Sequence, residues 1–345
     1  MPQGPSDTQR RVTINTVADA ARVSRQTVTN ALRHPERVSP DTLLRVHAEI
    51  ERLGYKPSAA AQSLQSQRSG AVGIELNVLG PSYHNMMMTP FLAALSVHAR
   101  ERDFHMVTFG SASDAPMLDA YEEMWKSQVV DAFVIADTHH RDPRPEWLRR
   151  NGIPFASFGR VWDDPTFAHW VDVDGHHGTA RAVDHCREAG YQRIAYLSWP
   201  EDGSAVADSR RAGWYDACRW HGGHAAGPVV AAPDDDLAGA TDTAAELVAE
   251  VGSGGAVVCA SDVLAVATVH AVLAAGLRPG TDIGIVGFDD SELARMHGLT
   301  SISQPMDQIA TFVLRLTGEA MERDPHRADG ILLKPGLSLR ASTAP

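Results

Sequence analysis

Asp137 follows the apolar run Ala-Phe-Val-Ile-Ala, Asp262 follows Val-Val-Cys-Ala-Ser, and Asp289 and Asp290 follow Ile-Gly-Ile-Val-Gly-Phe. Each carboxylate therefore stands just past the carboxyl end of a predicted strand, the edge at which open α/β sheets bind their ligands. Arg210 follows the strand Ile194–Pro200 and its loop, at the start of a helix that carries Gly213-Trp214. An Arg and an Asp that share a cleft can hydrogen-bond vicinal hydroxyls in pairs, the geometry a sugar offers. Trp162, Trp170 and Trp199 supply flat apolar faces that could cover a sugar ring. Ser261 beside Asp262, and Gln304 at the end of Leu299–Pro305, complete the candidate ligand set, in which Arg210 and Asp289 stand first. Each aspartate could equally cap a helix, and each tryptophan could equally pack in a core.

A second group of side chains suits nucleic acid. Arg25, Gln26 and Asn30 fall on the early, outward face of a predicted helix. Arg pairs with guanine, and Gln or Asn with adenine, in the major groove, each good bidentate contact giving about 1–3 kcal/mol of discrimination. Ser24, Thr27, Thr29 and the helix terminus can meet phosphate, as can Thr13 at the start of the preceding helix. Further along, Ser58 to Arg68 is helix-capable but too short to be stable alone. Within it Ser58 and Ala61 can approach a backbone closely. Leu64 has the character of a wedge between minor-groove base steps, although an alanine-rich linker whose Leu64 touches the rest of the chain also fits.

Catalytic motifs are missing from the sequence. It contains no glycine-rich phosphate loop before Lys-Ser/Thr, no His-Glu-x-x-His and no Gly-x-Ser-x-Gly. Asp137-Thr138-His139-His140 and Asp174-Gly175-His176-His177 cluster His with Asp, but 16 histidines make such adjacency ordinary. Cys186, Cys218 and Cys259 lie far apart without redox or metal spacing and read as buried small hydrophobes. No enzyme activity, metal or cofactor is expected.

These side chains need two kinds of scaffold. For the first, Thr13 caps a short helix with Ile14, Val17, Ala18 and Ala21 on its apolar side, Arg22-Val23 forms a corner, and Ser24 caps Arg25 to Leu32, with Val28 and Leu32 facing inward. Ser39, Pro40 and the pattern Leu43, Leu44, Val46, Ile50 and Leu53 before Gly54 mark a third helix. A three-helix head over 1–57 with a hinge over 58–69 follows.

From 70 to 345 short apolar runs alternate with helical patterns. Strands are predicted at Val72–Leu79, Met106–Phe109, Ala132–Ala136, Phe155–Phe158, Ile194–Leu197, Ala256–Cys259 and Ile283–Phe288. Such alternation builds two doubly wound α/β lobes. The first is expected over about 70–162 plus 306–321 and the second over about 163–298 plus 322–339, with Leu299–Pro305 crossing back between them.

Charge divides along the same line. The whole chain carries −12, yet residues 1–68 hold 10 Lys/Arg against 6 Asp/Glu, net +4, and the remainder is net −16. Only the head suits a polyanion. No apolar run approaches the roughly 18 residues of a membrane span, and the start lacks the apolar core of a secretory signal. A cytoplasmic protein that does not enter membranes is the expectation.

Taken in order, Val17-Ala18, Val23-Ser24-Arg25-Gln26-Thr27-Val28-Thr29-Asn30-Ala31-Leu32, Val38-Ser39, Gly54-Tyr55-x-Pro57, Ala61-Gln62-Ser63-Leu64, Asp282 through Asp290 and Leu299 through Pro305 resemble the lactose/galactose-repressor (LacI/GalR) family from Thr13 to about Leu339. The resemblance implies a helix-turn-helix head on a two-lobed, periplasmic-binding-protein-like body, a homodimer, and binding of a palindromic operator, double-stranded DNA, under the control of a small effector. It gives Arg25, Gln26 and Asn30 the base-reading positions, Leu64 the hinge leucine, Arg210 the effector-binding arginine and Asp289 the sugar-binding aspartate. Two residues depart from the pattern. Ser261 stands where Asn or Asp is usual, and Arg22 stands where the corner usually has Gly. A sugar or oligosaccharide is the favoured effector and repression the favoured action; a purine-responsive repressor and a soluble sugar-binding protein are the alternatives.

Overall fold

The computed structural model describes residues 12–55, 68–76, 87–110, 118–199, 204–222, 226–232, 237–322 and 330–343. They divide into two compact units, Met1–Ser69 and Gly70–Pro345. Ser58, Ala61 and Leu64, with the expected hinge helix, lie outside the described residues.

The first unit contains α1 (Ile14–Ala21), α2 (Arg25–Arg33) and α3 (Pro40–Leu53). Thr13 and Thr16 form a reciprocal capping box at the start of α1. Ser24 caps α2 by accepting the Thr27 N–H at 3.1 Å. Val17, Ala18, Ala21, Val28, Ala31 and Val46 are buried together, with Leu32, Leu43, Ile50 and Leu53 packed around them. Leu44, read from the pattern as part of this core, instead points outward and is 72% exposed. Ser39 stands at the expected start of α3 but accepts no backbone N–H there; its hydroxyl donates to Thr42 Oγ1. Between α1 and α2, Arg22 has φ 51° and ψ 48°, the left-handed region that disfavours any residue with a Cβ. Arg45 on α3 donates to the Ala21 carbonyl at 2.9 Å, pinning that corner to the third helix.

The second unit begins with β1 (Ala71–Glu75), α4 (Met88–Ala99), β2 (His105–Phe109), α5 (Asp119–Lys126), β3 (Ala132–Ile135), α6 (Pro143–Arg150), β4 (Phe155–Phe158) and β5 (Trp170–Val173). It continues with α7 (Gly175–Glu188), β6 (Ile194–Ser198), α8 (Ala205–Trp220), β7 (Ala226–Ala231), α9 (Leu237–Val251), β8 (Gly255–Cys259), α10 (Asp262–Ala274), β9 (Ile283–Asp289) and α11 (Glu292–Met296). β10 (Thr300–Ser303), α12 (Met306–Met321), β11 (Ile331–Leu333) and β12 (Gly336–Ser338) follow. The strands form two sheets, ordered β11-β5-β4-β3-β1-β2 and β12-β10-β9-β8-β6-β7. All neighbours are parallel except β10 and β12. Their near-continuous apolar runs suit sheets covered by helices on both faces. Ile194, Ala195, Tyr196 and Leu197 of β6, for example, are fully buried.

The lobes divide later than the sequence suggests. β5 joins the first sheet, so the chain crosses after Val173 and not near Asp163, and β11 returns residues 331–333 to that sheet. β5 escaped the pattern because Trp-Val-Asp-Val is short and carries a carboxylate; Asp172 can be buried there because Arg160 Nε lies 2.8 Å away. β7 contains Pro228, which the ladder tolerates because β7 is a sheet edge. Thr300–Ser303, expected as plain crossing chain, pairs with β9 before the crossing. α12 then packs on α4 and on β3, β4 and β5 of the first lobe. No helix among the described residues is long and apolar enough to cross a membrane.

Within the second lobe α7 and α8 lie against each other at a glycine. A Cβ added to Gly213 would fall 2.1 Å from the His176 carbonyl oxygen, a backbone atom that cannot turn aside. Gly213→Ala should therefore force the helices apart and destabilise the body by about 1–3 kcal/mol, read as a lower urea midpoint; an unchanged midpoint would refute this close packing. Arg22→Gly should raise the midpoint of the first unit within the full chain by about 1 kcal/mol of relieved backbone strain. A lowered midpoint would mean that the Arg22 side chain stabilises more than its backbone costs.

Candidate functional site

Two surfaces gather the candidate residues, one in each unit. On the first, Arg25 and Gln26 are exposed at the start of α2, while Thr27, Thr29 and Asn30 are half-buried along it. Gln26 Nε2 donates to Asn30 Oδ1 at 3.1 Å, so the two amides hold each other in an outward pair one helical turn apart. The Thr29 hydroxyl donates to the Arg25 carbonyl at 3.1 Å, leaving its oxygen as an acceptor. Ser24 Oγ is engaged in the cap and lies 2.9 Å from Thr27 Oγ1. Thr13 remains exposed at the start of α1. These residues present donors, acceptors and one guanidinium on a helix start, the chemistry that meets base edges and phosphate.

In the second unit a cavity of about 890 Å³ lies between the lobes at the carboxyl ends of both sheets, near the upper end of the roughly 300–1,000 Å³ typical of small-molecule sites. Arg210 enters it from α8 and is only 6% exposed. Nη1 donates to the Ala260 carbonyl just beyond β8. Nη2 lies 3.6 Å from Asp289 Oδ1, and the guanidinium carbon is 3.5 Å from the Phe288 ring centroid and 4.8 Å from that of Trp199. Asp289 also accepts from Gln304 Nε2 at 2.7 Å. It has φ 115°, followed by Asp290 with φ 55°; left-handed residues other than glycine cost about 1–3 kcal/mol each.

Asp262 lies under this turn. Its Oδ1 accepts from Ser301 Oγ at 2.6 Å and its Oδ2 from the Ser291 N–H at 2.7 Å. Burial raises its pKa even though these donors act to lower it. The carboxylate, expected among the ligand contacts, borders the cavity and is 1% exposed, with each of its oxygens already accepting one hydrogen bond from the protein. Ser261 caps α10 by accepting the Leu264 N–H at 3.3 Å, and it also borders the cavity.

The opposite wall comes from the first lobe. Asp137, just past β3, is exposed, borders the cavity and has φ 54°. Arg144 Nη2 donates to the Ala136 and Asp137 carbonyls, each at 3.0 Å. That guanidinium is itself held by Asp142 at 2.7 Å and Glu75 at 3.3 Å, and Tyr121 donates to the same Glu75 at 3.0 Å. His139, His140, Arg141 and Asp163 continue the wall, with His140 Nδ1 3.0 Å from Asp163. The hydrogen bond with His140 is the main reason the Asp163 carboxyl sits below its ordinary range. Met87, Met88, Phe91 and Phe158 supply its apolar part.

The cavity thus brings together Asp137, Trp199, Arg210, Ser261, Asp262, Asp289 and Gln304. Trp162 is a correction: it is not among the residues that border the cavity, its ring lying beside the wall residue His140 at 6.1 Å between centroids, with the Arg160 guanidinium 4.3 Å from it. Trp170 flanks the same guanidinium at 5.8 Å. The sequence reading missed His139, His140 and Arg141 as wall residues, although they follow the same strand end as Asp137 and the strand-end rule reaches them. Met87, Met88 and Phe91 carried no such signal. The two histidine clusters take other roles: His176 pairs with Asp216 at 3.0 Å, and no group of three potential metal ligands occurs among the described residues. Five aspartates line the cavity against Arg141 and Arg210, a balance that disfavours an anionic ligand.

Comparison with known proteins agrees with this division of labour. Residues 13–58 match the family model described as bacterial regulatory proteins, lacI family, and residues 183–343 match the periplasmic binding protein-like domain. The HTH-type transcriptional regulator CelR of Thermobifida fusca is 30% identical over 329 residues, covering 91% of this chain and 94% of its own. A regulatory protein of LacI family from Chloroflexus aggregans is 28% identical with a TM-score of 0.70, over 79% of this chain and 98% of that one. A transcriptional regulator CelR solved in complex with cellobiose is 24% identical with a TM-score of 0.68, over 96% of this chain and 100% of that one, and shares its fold.

Proposed function

Because the chain belongs to the lacI family of bacterial regulatory proteins and is accordingly a DNA-binding transcriptional regulator and not an enzyme, we propose that it is a repressor whose body senses a neutral saccharide of more than one ring. The carrying observation is the Arg210, Asp289 and Gln304 cluster at the mouth of β9, with Trp199 and Phe288 against the same guanidinium. Donor, acceptor and aromatic face side by side match the hydroxyl edges and apolar faces of sugar rings. The size of the cavity supports more than one ring, and its excess of aspartates argues against an anionic ligand. Asp137 on the facing wall, with Ser261 and Trp199 on the second lobe, would complete the ring contacts. We further assign the exposed face of α2 to operator DNA, bound in the cytoplasm on the nucleoid by a homodimer whose twofold axis requires an inverted-repeat site.

Arg210→Ala deletes a charge-assisted donor from a nearly dry site, a loss of about 1.5–3 kcal/mol. Saccharide affinity should fall tenfold or more, while operator affinity without saccharide stays as in the wild type. Calorimetric titration of the full-length protein with neutral disaccharides, uronic acids and purines checks both the residue and the ligand class. Tight binding of a uronic acid or purine, with no disaccharide bound, would overturn the saccharide reading. Unchanged disaccharide affinity in the folded variant would remove Arg210 from the site.

Gln26→Ala should relax sequence preference at one base pair per half-site, a cost of about 1–3 kcal/mol confined to the cognate base. Binding to a library of single-base operator variants measures it. Equal losses across all variants would make Gln26 a backbone contact.

A further inference from the structure

Asp289 can serve a ligand only if the turn that carries it stays in an unfavourable backbone conformation, and the source of that restraint lies on other elements. Asp289 and Asp290 have consecutive positive φ values of 115° and 55°, at the point where β9 ends and the chain turns toward α11. The Asp290 N–H donates to Ser301 Oγ at 3.0 Å. That hydroxyl in turn donates to Asp262 Oδ1 at 2.6 Å, and the other Asp262 oxygen accepts the Ser291 N–H at 2.7 Å. The carboxylate at the start of α10 therefore holds two consecutive backbone amides where the turn ends, that of Asp290 through the β10 hydroxyl and that of Ser291 directly. Gly287 makes room for it: a Cβ at that position would lie 2.2 Å from Asp262 Oδ1.

We propose that Asp262 is a positioning residue for the effector site, fixing the Asp289–Asp290 turn through Ser301 and Ser291 so that Asp289 faces Arg210 and the ligand. A carboxylate is the side chain this task requires. It offers an acceptor to each of two donors that arrive from different segments, and its charge strengthens both bonds. An amide in the same place would turn its NH2 toward one of those donors. The Asp290 carboxylate anchors the far side of the turn, meeting Arg340 Nη2 at 2.6 Å and Ser338 Oγ at 2.8 Å, so the turn is held from the α10 side and from the carboxy-terminal strand at once. The inference rests on the saccharide reading only for its ligand, since the relay itself is a property of the free protein.

Ser301→Ala tests the relay with Asp262 left in place, and Asp262→Asn tests its end. In the full-length protein without ligand, amide hydrogen exchange over residues 288–292 should quicken at least tenfold in both variants, while α7 and α9 exchange as in the wild type. Cellobiose affinity should fall about tenfold in Ser301→Ala, yet fall no further when Ser301→Ala is added to Asp289→Ala, because a relay acts only through the residue it positions. Unchanged exchange at the turn overturns the proposal. So does an equal loss of affinity in both backgrounds, which would make Asp262 and Ser301 general supports of the lobe. Unchanged cellobiose affinity in Ser301→Ala alone also overturns it, since Asp262 would then act without the hydroxyl. If the wild type binds no cellobiose, the affinity arm is run with the disaccharide that the calorimetric titration finds, and the exchange result decides the relay by itself.

Discussion

A guanidinium held 6% exposed at the mouth of a parallel sheet constrains everything packed around it. The charge of Arg210 must be met where it stands, and removing one partner of such a pair costs about 3–5 kcal/mol. The Ala260 carbonyl, the Asp289 carboxylate and the Phe288 ring all meet it, and each comes from the carboxyl end of a central strand. Their convergence requires α8 to lie close against α7, which is why Gly213 sits under the His176 carbonyl. It also requires β9 to end in a backbone conformation that its two aspartates do not favour.

The first lobe solves a similar problem with the charges reversed. There the sheet order places the mouth of β3 beside β1, and Asp137 turns outward from that mouth with a left-handed backbone. Its carbonyl and that of Ala136 are fixed by Arg144, which Asp142 and Glu75 hold in place. Burial lowers the affinity of Arg144 for its proton, but the hydrogen bond to Asp142 and the neighbouring Tyr121, Asp142 and Glu75 more than offset it, so the group stays charged. In both lobes an exposed or half-buried aspartate facing the cavity rests on a buried ionic group, Arg144 in the first and Asp262 in the second. Preorganised walls of this kind lower the ordering cost of binding.

Much of this was legible in the sequence because parallel strands announce themselves as apolar runs and the residue just past each run falls at the ligand edge. Asp137, Ser261, Asp262 and Asp289 reach the cavity for that reason. α12 was legible over its whole length, Met306–Met321, since Pro305 precedes it and its apolar period is unbroken. What periodicity could not reveal was pairing. Nothing in the spacing of Asp262 showed that Ser301, far along the chain, would take its oxygen, and nothing at Trp162 showed that its ring would meet the Arg160 guanidinium. β5 and β7 failed for a related reason: a carboxylate in one and a proline in the other are excluded from an average strand and admitted only by a particular neighbour or a particular edge.

The junction between the lobes sets what a ligand can do. Three segments cross, after β5, after β10 and between β11 and β12. The Asp174 N–H donates to the Leu333 carbonyl at 2.8 Å, and the Asp174 side chain caps α7 through the His177 N–H at 2.9 Å, so two of the crossings are bound to each other at the start of a helix. A ligand gripped only by Arg210 and Asp289 would bind open and closed arrangements alike and shift neither, however tight its binding. One that also reaches Asp137 or the His139–Arg141 wall gains contacts only when the lobes approach, and every tenfold of that extra affinity moves the balance by about 1.4 kcal/mol. On the saccharide reading, regulation would then depend less on the strength of the arginine contact than on whether the ligand is long enough to touch the wall facing it.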